Sequence, residues 1–203
     1  MIGVIDYGLG NVQAFLNVYE RLGISVFAVK TKPDFDRATR LILPGVGSFD
    51  WAINALNNSG LREPLDDYVI RRGMPILGVC VGMQIMACSS KEGESDGMGW
   101  IETEVEQFDK NNVCQAKPVP HMGWNDVSPI NCEGLFEGSD TFPRFYFLHS
   151  YYFALLKEET LAKSCYGIEF SSAVHTNNIY GVQFHPEKSH GWGLQLLQNY
   201  SKL

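Results

Sequence analysis

Residues 75–84 read Pro75-Ile-Leu-Gly-Val-Cys80-Val-Gly-Met-Gln84. A short apolar run, the length of one buried strand, ends in Gly-x-Cys-x-Gly, and a helix is expected to leave it at once, over residues 82–87. This is the cysteine form of the strand–turn–helix elbow that presents a nucleophile. The turn is tight, and small residues at Gly78 and Gly82 let neighbouring backbone pass close by. It lifts Cys80 clear of the sheet at the carboxyl ends of the strands, where open α/β sheets take their ligands. The N-terminus of the next helix favours thiolate over thiol, and the Val81 N–H falls where an oxyanion would form. Taken alone, the pattern is also compatible with a buried structural cysteine, since cysteine is among the most buried residue types. It needs a base.

Upstream of this elbow the chain alternates strand and helix. Ile2 to Asp6 reads as a strand closed by a glycine-rich turn, and Val12, Phe15, Leu16, Tyr19 and Leu22 form the apolar stripe of a helix. Ile24 to Val29 and Leu41 to Leu43 are further strands, with helices expected over Trp51 to Leu56 and from about Leu61 to Arg72. Such alternation implies a parallel sheet covered on both faces. Downstream the character changes. Trp100 to Phe108, Arg144 to Phe153, Ala162 to Phe170 and Ser172 to Phe184 are strand-like, Asn177-Asn178 fits a tight hairpin turn, and a final helix is expected from Trp192 to Tyr200. The expected fold is α/β: an open, mostly parallel sheet flanked by helices, with an antiparallel extension in the second half. No Pro/Ser-rich linker or repeat interrupts residues 1–203, so one domain is expected.

Bulk properties narrow the function classes. The 203 residues carry a net charge of −7, and among 16 basic residues only Arg71 and Arg72 are adjacent. Neither a nucleic-acid partner nor an anionic membrane surface is favoured, because both call for a basic face. The five cysteines (Cys80, Cys88, Cys114, Cys132, Cys165) are odd in number and lack zinc-ligand or CxxC spacing. With no signal-peptide pattern and no apolar run near the ~20 residues of a membrane span, a cytoplasmic location is expected. No metal is expected.

Five histidines are available as a base for Cys80, and His185 stands out in Tyr180-Gly-Val-Gln-Phe-His185-Pro-Glu187. Proline ends the strand there. In extended backbone residues i and i+2 point the same way, so Glu187 can reach the His185 imidazole. A carboxylate on one ring nitrogen fixes the tautomer and leaves the other to take the thiol proton. His175, near the hairpin tip, is expected to be merely solvated.

With these two motifs the chain resembles the class I, triad-type glutamine amidotransferases. Asp6-Tyr-Gly-Leu-Gly-Asn11, Pro44-Gly-Val-Gly-Ser-Phe49, Pro120-His-Met-Gly-Trp-Asn125, His149-Ser-Tyr-Tyr152 and His185-Pro-Glu-Lys-Ser189 narrow the resemblance to the glutaminase subunits of imidazole glycerol phosphate synthase. The likeness runs from residue 2 to about residue 200. It implies Cys80 as nucleophile, His185 as acid/base and Glu187 as its orienter. It further implies an oxyanion hole from Val46, Gly47 and Val81, and a glutamine pocket of Gln84, Glu92 and the backbone around His149, Ser150 and Tyr151. No cofactor is implied.

The chain has neither a Gly-x-x-x-x-Gly-Lys loop nor a dinucleotide fingerprint, so the ammonia acceptor should sit on another polypeptide. The resemblance implies a (β/α)8 barrel cyclase as partner in a heterodimer, faced by Trp124, Asn125, Tyr146 and Lys188. Trp124 and Tyr146 also fit an ordinary aromatic core. Asp96-Gly-Met-Gly-Trp-Ile101 and Val81 leave room for a paralogous glutaminase that feeds surface-sugar synthesis. A stand-alone γ-glutamyl thiol hydrolase and a non-enzymatic binding subunit are the remaining readings.

Overall fold

The computed structural model describes residues 1–108, 118–139 and 142–203; Cys114 lies outside them. The first half forms β1 (Ile2–Ile5), α1 (Val12–Arg21), β2 (Val26–Val29), β3 (Arg40–Gly45), α2 (Phe49–Asn58), α3 (Arg62–Asp66), β4 (Ile76–Cys80) and α4 (Val81–Gln84). The second half adds β5 (Ser89–Ser90), β6 (Glu104–Gln107), β7 (His121–Asp126), β8 (Ser128–Pro129), β9 (Arg144–His149), β10 (Tyr151–Phe153), β11 (Thr160–Tyr166), β12 (Ile168–Thr176), β13 (Ile179–Val182) and α5 (His190–Tyr200). No helix among the described residues is long and apolar enough to cross a membrane.

The main sheet runs β2-β1-β3-β4-β13-β12-β10-β6-β5. Its first five strands are parallel, and β12, β10 and β6 continue it antiparallel. Strand order steps one way from β1 to β2 and the other way from β3 to β4. Right-handed crossovers therefore send α1 and α2 to opposite faces. On the first face the Tyr19 hydroxyl of α1 donates to the Leu197 carbonyl of α5. On the other, α2 packs against α4. Edge strand β2 is buried only at Val29, whereas three parallel strands are buried along their length, β1 and β4 fully and β3 from Leu41 onward. That is why they read as continuous apolar runs rather than alternating ones.

The expected architecture is present, with local differences. The predicted strand over Ala162 to Phe170 is two strands, broken where Gly167 takes φ +82° between paired Tyr166 and Ile168. The predicted helix over 61–72 is present over 62–71, as α3 continued by a wider π-type turn over Asp67–Arg71. The helix after Cys80 is one turn, Val81–Gln84. The turn at Asn177 is confirmed by its φ of +52°. His175 is not simply solvated: it is half-buried, stacks on Tyr180 at 4.2 Å and bonds the Asn177 carbonyl at 2.6 Å.

A separate two-stranded ribbon, β7 with β9, stands beside the sheet, pairing Trp124 with Tyr146 and His121 with His149. Its His-Met-Gly-Trp-Asn strand had no secondary-structure assignment from sequence. Gly123 interrupts it at φ +118°, and its apolar residues do not alternate cleanly.

One close approach fixes the elbow. In β3–β4 register Gly45 lies opposite Cys80. A Cβ on Gly82 would stand 2.0 Å from the Leu43 carbonyl oxygen, and one on Gly45 would stand 2.1 Å from the Gly82 nitrogen. Neither backbone leaves room for a methyl group. Gly82→Ala is therefore expected to force β3 and α4 apart, at a cost on the order of 1–3 kcal/mol. For a chain of this length that lowers Tm by roughly 2–12 °C in thermal unfolding. An unchanged Tm would show that the close approach is not needed.

Candidate active site

Cys80 ends β4 with φ +55° and ψ −116°, a conformation an L-residue rarely adopts. Strain of this kind costs on the order of 1–3 kcal/mol and survives only where surrounding packing over-determines it. Here the glycine crossing supplies that packing. Cys80 is 3% exposed, and its thiol has the Leu148 carbonyl at 3.9 Å.

The predicted base arrives on the neighbouring strand. β13 is parallel to β4, with Val182 level with Val79, so residues just past β13 emerge beside Cys80. The His185 imidazole shares the cavity wall with Cys80, and its Nδ1 lies 2.8 Å from Glu187 Oε1. These His185 and Glu187 side chains are only 5% and 3% exposed. The His185 N–H donates to the Tyr146 carbonyl at 2.8 Å, and Ser189 Oγ donates to the His185 carbonyl at 2.6 Å. The histidine is thus held at its ring and at both ends of its backbone. Burial lowers the affinity of this imidazole for a proton, but hydrogen bonds and charge from Cys80 and Glu187 outweigh it. The ring is held above its ordinary value near 6.5.

A cavity of about 300 Å³ opens on Cys80. Val46, Gly47 and Val81 line it, as do Gln84, Glu92, His149, Ser150, Tyr151, His185 and Lys188. Every residue predicted for the oxyanion hole and the glutamine pocket is therefore at one cavity, with Glu187 behind His185. Pro120 and Leu148 also line it; neither was singled out in the sequence. Gln84 serves the wall: its Nε2 donates to the Tyr151 carbonyl at 3.0 Å and to Gln183 Oε1 at 2.9 Å. Gln183, fully buried, in turn donates to Cys80 Sγ at 3.7 Å. It too was missed, although its i, i+2 relation to His185 puts both on one side of an extended chain. The His149 imidazole turns into an aromatic cluster, its Nδ1 2.8 Å from the Tyr151 carbonyl and its Nε2 2.9 Å from His121 Nδ1. Burial, together with nearby His121 and His185, pushes it down to about 3. It is neutral at any working pH.

Of the residues predicted to face a partner, Lys188 lines the cavity and the other three sit on the β7–β9 ribbon. Trp124 is 41% exposed and stacks on His190 with centroids 5.3 Å apart, so it is no core residue. Tyr146 meets it edge-on at 6.3 Å. Asn125 is turned inward, donating to the Cys165 carbonyl at 3.0 Å with its amide 3.2 Å from His121 Nε2.

A strained cysteine at a strand–helix elbow, a histidine–carboxylate pair on the adjacent strand end and a pocket between them define a thiol-dependent acyl-transfer site. The chain belongs to the class-I glutamine amidotransferase family, whose model matches residues 3–201. Its relatives are specific. It is 50% identical, over the whole of both chains, to the imidazole glycerol phosphate synthase subunit HisH of Bdellovibrio bacteriovorus. It is 46% identical, again over both full lengths, to the subunit of that name from Leptospira interrogans. Among solved structures a glutamine amidotransferase superposes with TM-score 0.75 at 21% identity, covering 98% of each chain. PurLQS from Thermotoga maritima superposes at TM-score 0.71 and 18% identity, covering 99% of this chain and 97% of that one. These two likenesses bear on the fold.

The raised His185 value has a sign that can be read. A histidine whose folded value lies above its unfolded one contributes stability fully present below about 6.5 and lost as pH rises through the folded value. NMR titration of the ring should therefore find His185 still protonated well above pH 6.5, and Glu187→Gln should move its midpoint down. A wild-type midpoint at or below 6.5 would refute the ion-paired resting state.

Proposed function

We propose that this chain is the glutaminase subunit of imidazole glycerol phosphate synthase. It hydrolyses glutamine to glutamate and hands the ammonia to a cyclase subunit in histidine biosynthesis. The observation that carries the chemistry is Cys80 at one cavity with a His185 whose Nδ1 is fixed by Glu187. The full-length likeness to HisH subunits supports the pathway.

In this reading the Cys80 thiolate attacks the carboxamide carbon of glutamine. The oxyanion is met by the Val81 N–H at the start of α4 and by the backbone of Val46–Gly47, each donor being worth roughly 3 kcal/mol in the transition state. Protonated His185 gives its proton to the departing amine, and ammonia leaves a γ-glutamyl thioester on Cys80. Neutral His185 then takes a proton from water, which attacks the thioester and releases glutamate. Glu187 keeps the ring in one tautomer through both steps. Glu92 and the Ser150–Tyr151 backbone, at the cavity wall, receive the amino-acid end of the substrate.

The partner is a (β/α)8 barrel cyclase forming a heterodimer in the cytoplasm, its docking surface the β7–β9 ribbon. Exposed Trp124 borders an apolar groove of about 450 Å³ with Arg144, His190 and Trp192, the setting of an aromatic interface anchor. Lys188 belongs to the same edge.

Two measurements test this. Glutaminase activity of the chain with the cyclase and its nucleotide should fall to the assay floor in Cys80→Ala; retained hydrolysis would remove Cys80 as nucleophile. Trp124→Ala should weaken the complex by about 2 kcal/mol, some 30-fold in Kd by calorimetry. An unchanged Kd would move the docking surface elsewhere.

A further inference from the structure

The loop that carries Val46 and Gly47 leaves β3 and runs straight into α2, so its placement depends on how the first turn of α2 is anchored. Ser48, the residue before that helix, makes no side-chain capping bond. The cap comes from 43 residues downstream: Glu92 Oε2 accepts the Phe49 N–H at 2.8 Å. A second link runs the other way. Asp50, in the same first turn, accepts the Ser95 N–H on Oδ1 at 3.0 Å and the Glu94 N–H on Oδ2 at 3.1 Å. Each segment thus supplies a carboxylate to the other's backbone, through charge-assisted bonds stronger than neutral ones. Between them the fit is tight. A Cβ on Gly93 would stand 2.1 Å from Asp50 Oδ1, and its three nearest atoms all belong to the Asp50 carboxyl group.

Glu92 is also at the cavity wall together with Val46, Gly47 and Cys80. One carboxylate therefore touches the substrate space and the anchor of the loop that lies over it.

We propose that Asp50 is a positioning residue: its reciprocal clamp with the 92–95 segment makes the placement of Glu92 in the glutamine pocket and of the Val46–Gly47 loop a single mechanical unit. The proposal rests on the glutaminase reading and deepens it. Substrate held at Glu92 tightens the cap on α2 and so holds the oxyanion loop over the scissile carboxamide. The clamp lies outside the triad and leaves the Cys80–His185 pair untouched.

Steady-state glutamine hydrolysis by the chain assembled with its cyclase and nucleotide tests this, alongside iodoacetamide alkylation of Cys80 and thermal unfolding. Asp50→Ala should lower kcat/KM by roughly 10- to 100-fold, with KM raised and kcat lowered together. The alkylation rate, which needs neither Glu92 nor the oxyanion loop, should stay within twofold. Asp50→Asn, which keeps one acceptor and opposes the second N–H with another donor, should fall between. Gly93→Ala should impair the intact protein yet add nothing to Asp50→Ala, because the clashing carboxylate is then gone. A change confined to KM would overturn the link to the loop, and an equal loss of alkylation would overturn it by showing general collapse. Wild-type kinetics in Asp50→Ala would overturn the clamp alone. A wild-type complex that hydrolyses no glutamine would overturn the functional reading together with it.

Discussion

The site depends on two glycine backbones crossing where no side chain fits. Because Gly82 meets the Leu43 carbonyl and Gly45 meets the Gly82 nitrogen, the elbow cannot relax toward an ordinary helix start. Cys80 is left at φ +55°. That one contact sets three things together. It aims the thiol out of the sheet, it puts the Val81 N–H at the end of β3, and it starts the 46–47 loop level with the cysteine. Sheet register then does the rest, since β13 pairs in parallel with β4 and delivers His185 three residues after its last paired position.

This explains which parts were legible in the sequence. Strands β1, β3 and β4 are buried on both faces, and continuous apolar runs such as Leu41 to Leu43 and Ile76 to Val79 have few other interpretations. Gly-x-Cys-x-Gly and His-Pro-Glu encode their geometry locally, through close approach and through i, i+2 direction, so Cys80, His185 and Glu187 could be named without a structure. The helix after Cys80 was overextended because Met83 to Ala87 have the composition of a helix. In the fold those residues turn toward the sheet edge, where Trp100 and Ile101 both donate to the Met86 carbonyl. The β7 strand was missed because Gly123 at φ +118° breaks its period-two pattern.

Other residues were invisible for a different reason: their roles are made by contacts distant in sequence. Asp50 reads as an ordinary first-turn acid of a helix, where negative charge is favourable anyway. Only the fold brings Glu94 and Ser95 to it. His121 likewise carries no signal beyond its motif, yet it is 2% exposed and bonded to His149 at 2.9 Å. With His149 neutral and its Nδ1 donating to Tyr151, its Nε2 accepts from His121 Nδ1. A directed chain of donors then runs from β7 to the pocket wall.

The ribbon's second connection reaches His185 itself. The His185 N–H donates to Tyr146 of β9, while Ser189, wholly buried, accepts the Tyr146 N–H at 3.0 Å and donates to the His185 carbonyl at 2.6 Å. Trp124 is paired directly across the ribbon from Tyr146. Trp124 thus lies opposite the residue whose carbonyl holds the His185 backbone. The Val46–Gly47 loop, by contrast, is anchored through α2 and the 92–95 segment, which make no part of the ribbon. The walls of the Cys80 cavity thus hang from different supports, His185 on the β7–β9 ribbon and the 46–47 loop on α2 and the 92–95 segment. They meet at the cavity that Cys80 shares with His185, Val46 and Gly47, so the proposed site needs both supports in place at once.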